Sequence, residues 1–213
     1  MSTIQPARPI QLYRHALSGH SHRVELFLSL LGLPFEFVTI DLLVGAQRSP
    51  EYLKLNPFGQ VPTIDDDGAI LSDSNAILVY LARKYDPQGT WLPNDALGTA
   101  QVERWLSVAA SQINNGPATA RLINVFGAKL DQERAFSISE RLFTIMNAHL
   151  TDRAFLVGET PTIADVAGYT YIAHAPEGSI SLEPYPHLRS WLSRIESLPD
   201  FVPMQKTAVG LFA

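Results

Sequence analysis

The sequence predicts two domains, a small α/β domain followed by an all-helical domain. Over the first 86 residues, short apolar runs rich in β-branched and aromatic residues alternate with helical patterns. From residue 96 onward strand signals nearly vanish, and apolar residues recur at helical spacing. The stretch between them contains Pro87, Gly89 and Pro93 without any periodicity, which is typical of a linker. We therefore predict domains at 1–86 and 96–213, joined by a linker at 87–95.

The first three elements predict a strand–helix–strand unit. Residues 9–14 have the pattern of a short buried strand, and the apolar helix that follows stops at Gly32, with Pro34 just beyond. Residues 35–41 form a second strand of aromatic and β-branched residues. Two strands joined through a helix by short connections should be parallel.

The rest of the first domain predicts a short helix, a hairpin and a longer helix. The short helix covers 51–55. Two short strands, 61–64 and 69–71, flank an Asp-Gly pair, which is typical of an antiparallel hairpin. A polar Asp-Ser pair then caps a helix over 75–85. The predicted order of elements is βαβαββα.

The second domain predicts four helices, because apolar residues recur every three to four positions near 102–113, 132–150, 163–172 and 186–198. The third begins at Thr162-Ile163-Ala164-Asp165. That sequence is close to a capping box, in which two side chains satisfy amides at the helix start. The final residues, 199–213, show no strong pattern.

The charge content is low and its balance is negative. Charged residues make up 17% of the chain, below the roughly 25% of typical globular proteins, and the net charge is −5. Less charge means less solvated surface, so we expect a subunit interface and hence a homodimer. Without clusters of Lys and Arg, we expect no nucleic-acid partner.

The chain contains no cysteine, which excludes disulfides, thiolate metal sites and a thiol nucleophile on the protein itself. The most apolar run, 26–33, is too short to span a bilayer, and no secretory signal pattern is visible. We therefore expect a soluble, cytoplasmic protein without membrane contact. His20 and His22 lie two positions apart at a helix start and would not share a face, so we expect no metal.

The turn Ser18-Gly19-His20-Ser21 joins the first strand to the first helix. A helix N-terminus has unpaired N–H groups and a partial positive charge, which suit an anion. Ser18 and Ser21 have the spacing of the Cys-x-x-Cys pair of thioredoxin-like folds, and a serine hydroxyl can donate to a thiolate that a substrate brings. Lowering a thiol pKa by two units takes about 2.7 kcal/mol, which one charge-assisted hydrogen bond and a helix N-terminus can supply. A plain helix cap is the alternative interpretation.

Two further features have the same dual interpretation. A cis bond before Pro62 would turn the backbone groups of Val61 toward a cleft, where an extended peptide could pair with them. Asp73 and Ser74, at a helix start, could hold the ammonium and carboxylate of an amino-acid terminus. The alternatives are a routine edge-strand proline and another plain cap.

These features occur together, in one order, and the chain resembles the soluble glutathione S-transferases. It is most similar to serine-type members, the theta, phi and zeta-like bacterial ones. The resemblance covers residues 10–201 and rests on four segments, 18–24, 56–62, 71–77 and 162–165. It implies a thioredoxin-like first domain, a helical second domain and glutathione as co-substrate.

The resemblance also implies residue roles. Ser18 would hydrogen-bond the glutathione sulfur and favour its thiolate, and Val61, beside a cis-Pro62, would pair with the cysteinyl unit through its backbone. Asp73 would take the γ-glutamyl ammonium, and Ser74 its carboxylate. Further glutathione contacts are expected at Gln47, Arg48 and Gln60.

The small electrophile would lie between the turn and the helical domain. Leu17, Trp105, Ala109, Gln112 and Tyr169 are the predicted wall residues, with core packing as the alternative role of each. His20 stands where several relatives have Asn or Cys, so we include it at the glutathione site. It would either tune the thiolate or face solvent.

The predicted activity is transfer of the glutathione thiolate to electrophilic small molecules. Catalysis would rest on a lowered thiol pKa and on proximity of the two substrates. Two alternatives stay open: glutathione-dependent reduction of peroxides or disulfides with the same thiolate, and a non-catalytic binding or scaffold protein of the same fold. The joint presence of Ser18, Gln60, Asp73 and Ser74 favours an enzyme.

Overall fold

The N-terminal domain is built on one four-stranded sheet. The structure, a computed structural model, describes residues 4–208, so the ends of the two predicted domains, 1–3 and 209–213, lie outside the described residues. The strands are adjacent in the order β2, β1, β3, β4. Their bounds are Ile10–Arg14 for β1, Phe35–Thr39 for β2, Thr63–Asp66 for β3 and Ala69–Ser72 for β4.

Two of the three strand pairings are those that the sequence predicts: β1 is parallel to β2, and β3 is antiparallel to β4. The antiparallel pairing of β1 with β3, which joins the two pairs into one sheet, is a finding of the structure. Asp67 and Gly68 at the hairpin tip both have positive φ, 54° and 89°, as a two-residue turn between twisted strands requires. β3 begins at Thr63 rather than at residue 61, because Pro62 has no N–H to donate to the ladder.

Three α-helices complete the predicted order βαβαββα of a thioredoxin-like domain. They are α1 at Gly19–Leu30, α2 at Pro50–Leu55 and α3 at Ser74–Tyr85. Gly32 has a φ of 61°, the left-handed conformation expected just past the end of α1. The next helix begins only at Ala96, so residues 86–95 contain neither helix nor strand. The bounds of the two domains stay a prediction.

The second domain is helical, with one irregularity that the sequence pattern does not reveal. Its α-helices are α4 at Ala96–Val108, α5 at Thr119–Phe126, α6 at Gln132–His149, α7 at Ile163–Ala173 and α8 at Pro186–Glu196. A π-helix, Ala109–Ala118, joins α4 to α5 and contains Pro117. Because proline cannot donate in the α-helical ladder, the wider turn carries the chain past it.

Helix α7 is the centre of the helical domain, since its residues 163–172 are all buried. The predicted capping box is confirmed. The Thr162 side chain accepts from the start of the helix, and the Asp165 carboxylate accepts from the backbone N–H of Thr162. Asp165 also accepts from Trp191 Nε1 of α8 at 2.8 Å, which ties the two helices together. Within residues 4–208, no helix has both the length and the apolar composition needed to cross a bilayer.

Helix α1 belongs to the first domain but packs against α7 of the second. Buried His22 joins them, with Nδ1 3.0 Å from Thr170 Oγ1 and Nε2 2.9 Å from the carbonyl oxygen of Val202. Val202 lies in the segment after α8, for which the sequence shows no pattern. The His22 imidazole of α1 therefore links α7 and this C-terminal segment through two hydrogen bonds.

Because the His22 imidazole is buried, we predict that the stability of the fold depends on pH and falls in acid. Burial lowers the His22 pKa from 6.5 to about 4, against the hydrogen bond to Val202, and the nearby side chains of His174 and Arg14 lower it further. The unfolded chain binds a proton near pH 6.5 where the folded chain does not. Stability is therefore complete above pH 6.5 and declines as the pH falls toward 4, by on the order of 3 kcal/mol for this group.

We expect His22→Gln to flatten this decline in urea-unfolding free energies measured between pH 7.5 and 4.5. His187→Gln on α8 is the matched control and should keep the wild-type slope. An unchanged slope in His22→Gln would contradict the assignment.

Candidate active site

A cavity of about 800 Å³ lies between the α/β domain and the helical domain. The first domain contributes the β1–α1 turn, the loop before β3 and the start of α3. The second contributes the π-helix, α5 and α7. The volume is within the range of pockets that enclose small ligands.

Ser18 lines the cavity and is also the N-cap of α1. Its Oγ accepts from the backbone N–H of Ser21 at 3.3 Å, so the plain-cap interpretation is correct as far as it goes. A hydroxyl has two acceptor sites and one donor, and the cap uses only an acceptor. The O–H of Ser18 therefore stays available to a ligand in the cavity.

The amides at the start of α1 are partly paired. The N–H of Ser18 bonds the carbonyl of His15 at 3.0 Å, and the N–H of Ser21 bonds the Ser18 Oγ cap at 3.3 Å. Among residues 4–208, no hydrogen bond uses the N–H groups of Gly19 and His20, and the Tyr171 ring of α7 packs over Gly19. The helix start therefore presents two free amides beside the hydroxyls of Ser18 and Tyr171.

Tyr171 packs directly on the β1–α1 turn. A Cβ at Gly19 would lie 2.6 Å from Tyr171 Cζ, so only glycine allows this approach. The His20 ring meets the Tyr171 ring edge-on, with centroids 5.0 Å apart. Burial raises the pKa of Tyr171 against the nearby cations of Arg23 and Arg121, so the phenol stays protonated at neutral pH. No sequence motif marks Tyr171, and sequence reasoning missed it.

His20 lines the cavity between the two domains. Its Nδ1 is 3.4 Å from Ser74 Oγ and its Nε2 is 3.3 Å from Asn114 Oδ1 of the π-helix. Burial lowers the His20 pKa to about 4, and the Arg23 cation adds to this effect. The imidazole is therefore neutral near pH 7 and acts as a polar bridge rather than as a cation.

Asp73 and Ser74 begin α3 at the cavity wall. Asp73 Oδ1 accepts from the N–H of Ala76 at 2.9 Å. Its φ of 72° and ψ of 121° are rare for a residue with a side chain, a conformation that costs about 1–3 kcal/mol. Such strain is typical of functional positions, and here it leaves the carboxylate exposed at the mouth.

A buried cation stands behind Ser74, and the sequence analysis missed it. Arg23 Nη1 donates to Ser74 Oγ and to Asn75 Oδ1, both at 2.8 Å. Its Nε and Nη2 are buried without any hydrogen-bond partner in the described chain. Burial lowers the Arg23 pKa to about 10, which leaves it charged at pH 7. A buried unpaired cation favours an anionic ligand nearby.

The loop before β3 is held by two side chains that sequence reasoning also missed. Tyr52 Oη and Asn56 Nδ2 both donate to the carbonyl oxygen of Gln60, each at 2.7 Å. The bond between Val61 and Pro62 is cis, as expected. Among residues 4–208, nothing bonds the backbone N–H or C=O of Val61. This stretch can therefore pair with an extended ligand.

Most of the predicted glutathione residues line this one cavity. They are Ser18, His20, Gln47, Gln60, Val61, Pro62, Asp73 and Ser74. Gln47 Oε1 is buried without a hydrogen-bond partner among the described residues, which is consistent with a ligand contact. Arg48 ends the 3₁₀ helix Ala46–Arg48 and is not part of the cavity lining. The roles of all these residues stay predictions.

The predicted electrophile wall is displaced from the lining that the structure shows. Leu17 lines the cavity, but Trp105, Ala109 and Tyr169 are buried in the core and Gln112 is exposed. The helical domain instead contributes Ala110, Asn114, Ala118, Arg121, Leu122, Phe126 and Tyr171. Ala109 and Gln112 lie on other faces of the π-helix. The residues of this helix that face the cavity recur every four positions, at 110, 114 and 118.

Arg121 anchors the turn that carries Ser18. Its Nη1 donates to the carbonyl of Leu17 at 2.9 Å, and its Nε pairs with Glu177 Oε2 at 2.5 Å. Glu177 also accepts from His174 Nδ1 at 2.7 Å and from Thr207 Oγ1 at 2.7 Å. Burial opposes ionisation of Glu177, but these hydrogen bonds bring its pKa down to about 2. The partners are far apart in sequence, so no local pattern could have revealed them.

Within residues 4–208, no three His, Cys, Asp or Glu side chains are grouped so that they could hold a metal ion.

Both halves of the chain match a known family. Residues 17–84 match the model described as glutathione S-transferase, N-terminal domain, and residues 116–199 match glutathione S-transferase, C-terminal domain. Glutathione S-transferase 3 of Zea mays is 32% identical over 215 residues, covering 95% of each chain.

Solved structures agree with these matches. A glutathione S-transferase from Pseudomonas fluorescens is 32% identical with a TM-score of 0.85, covering 93% of this chain and all of that one. A glutathione transferase homologue from Drosophila mojavensis, solved with bound glutathione, is 28% identical with a TM-score of 0.81. It covers 90% of this chain and 89% of its own.

The contact between Gly19 and Tyr171 gives a direct stability prediction. We expect Gly19→Ala to lower the free energy of unfolding by about 1–3 kcal/mol, because the new methyl would force Tyr171 aside. Gly168→Ala is the control, since a Cβ there would meet Trp191 at an ordinary 3.4 Å and gains helix propensity. Equal midpoints for the two variants in urea unfolding would contradict the close contact.

Proposed function

The chain belongs to the glutathione S-transferase family, and on that premise we propose that the cavity holds glutathione with its sulfur beside Ser18. The bound thiolate is then transferred to a small electrophile. The observation that carries this proposal is the uncommitted O–H of Ser18, which faces the same cavity as the unpaired backbone of Val61 and the start of α3.

The tripeptide has a partner for each of its groups. Its cysteinyl backbone pairs with the N–H and C=O of Val61, like an added strand. The γ-glutamyl ammonium meets the exposed carboxylate of Asp73. The γ-glutamyl carboxylate meets the Ser74 hydroxyl, with the buried Arg23 cation 2.8 Å behind it as counter-charge. Gln47 and Gln60 are available to the glycyl end.

Catalysis rests on the acidity of the bound thiol. The Ser18 O–H donates to the sulfur and stabilises the thiolate more than the thiol, which lowers the thiol pKa. The thiol proton leaves to water, because neutral His20 with a pKa of about 4 is too weak a base to hold it. The sulfur lone pair then forms a bond to the electrophilic carbon, and the leaving group departs with its electron pair. The two substrates gain further from proximity.

The electrophile occupies the apolar part of the cavity. Ala110, Ala118, Leu122 and Phe126 line that side and offer mainly hydrocarbon surface, so the pocket suits apolar small molecules. The reaction uses glutathione in its reduced, thiol form, and the chain contains no cysteine that could form a disulfide. Both points support a cytoplasmic location, where thiols are kept reduced.

The protein acts as a homodimer in this proposal. Phe58, in the loop that leads to Val61, has 83% of its side chain exposed, and the chain has a low content of charged residues. Contact between this much apolar surface and water is unfavourable, and a second copy of the chain would remove it by covering Phe58.

The role of Ser18 is tested by Ser18→Ala. We expect kcat/KM for conjugation of an aromatic halide to fall about 10- to 100-fold, since a hydrogen bond to a charged group is worth about 1.5–3 kcal/mol. Ser18→Thr keeps both the hydroxyl and the cap and should retain most activity. Unchanged turnover in Ser18→Ala would remove Ser18 from the mechanism, and absence of glutathione binding by the wild type would favour a scaffold protein.

The dimer is tested by sedimentation at micromolar concentration. We expect the wild type to sediment at twice the 23.5 kDa chain mass and Phe58→Ser to shift toward the single chain. Leu130→Ser, at a residue that is 51% exposed in the helical domain, should leave the dimer intact. A wild type that sediments as a single chain would contradict the proposal.

A further inference from the structure

We propose that Tyr171 is a second hydroxyl donor to the glutathione sulfur. The inference rests on the proposed function, because it takes the bound thiolate beside Ser18 as given. It assigns a role in the chemistry to a residue of the helical domain that the sequence does not mark.

The position of Tyr171 is fixed by packing. Its ring lies across Gly19, where an added Cβ would be 2.6 Å from Cζ and 2.7 Å from Cε1. It comes from α7, the most buried helix of its domain, and the side chain is only 8% exposed. Tyr171 nonetheless lines the cavity, as do Ser18 and His20 on either side of Gly19. The phenol is therefore held rigidly next to the catalytic turn.

The phenol oxygen of Tyr171 is uncommitted. A tyrosine oxygen has two acceptor sites and one O–H donor. Within residues 4–208, no hydrogen bond uses any of these three sites. Because Tyr171 lines the cavity, a ligand there can accept from its O–H.

The neighbours on the same helix show the contrast. Tyr169, two residues earlier, donates to Glu196 Oε1 at 2.9 Å and packs on Phe201 with centroids 5.4 Å apart. Thr170 shares its hydroxyl with His22 at 3.0 Å. Core packing alone explains these two side chains, whereas the O–H of Tyr171 is left for the ligand.

The surroundings of Tyr171 favour donation to an anion. The cations of Arg23 and Arg121 lie near it, while burial keeps the phenol protonated. Tyr171 also packs over Gly19 at the positive N-terminus of α1, and that partial charge adds to the attraction for a thiolate.

The test is the thiol pKa of bound glutathione, read from thiolate absorbance in the ultraviolet as a function of pH. We expect Tyr171→Phe, which keeps the ring, to raise that pKa by about one unit. Tyr169→Phe is the matched control on the same helix and should leave it unchanged. S-methylglutathione, which cannot form a thiolate, should bind wild type and Tyr171→Phe equally.

A second variant keeps the test valid if Tyr171→Phe does not fold. Tyrosine fluorinated at ring position 3 has nearly the same shape and a more acidic phenol, so at position 171 it should lower the thiol pKa. If Ser18→Ala raises the thiol pKa but both Tyr171 variants leave it at the wild-type value, the Tyr171 inference is overturned and the role of Ser18 stands. If Ser18→Ala has no effect on the thiol pKa, the role of Ser18 fails, and if the wild type binds no glutathione, the proposed function itself fails.

Discussion

The close packing of Tyr171 on Gly19 is the contact on which the rest of the site depends. It requires a residue without a side chain at the first position of α1, since a Cβ would approach the phenol carbon to 2.6 Å. Through it the helical domain reaches the turn that carries Ser18. His22 and Arg121 hold the same junction from either side, by hydrogen bonds to Thr170 and to the carbonyl of Leu17.

This packing places a phenol at a helix N-terminus, which by itself favours an anion. The N–H of Ser21 is bonded to Ser18 Oγ, so the Ser18 hydroxyl caps the helix. In our account the positive end of α1 acts together with the hydroxyls of Ser18 and Tyr171. For Ser18, capping and catalysis are two uses of one oxygen, which accepts from an amide and donates its proton to the sulfur.

Much of the fold, and the cavity wall that the first domain contributes, follow from local sequence signals. Asp67-Gly68 predicts the hairpin, Thr162 and Asp165 the start of α7, and Pro62 the cis bond, because each depends on neighbours within a few residues. The cavity wall of the second domain does not follow, since its phase is set by the π-helix around Pro117. Arg23, Arg121 and Tyr171 were also missed, because the residues that they contact lie 51 or more positions away and no local pattern encodes them.

The central claim is that two hydroxyls, those of Ser18 and Tyr171, hold the thiolate. A crystal structure of the glutathione complex tests it most directly. We predict that the sulfur lies within about 3.5 Å of both Ser18 Oγ and Tyr171 Oη. A sulfur that lies out of reach of either hydroxyl, and is held by the amides of Gly19 and His20 instead, would contradict the claim.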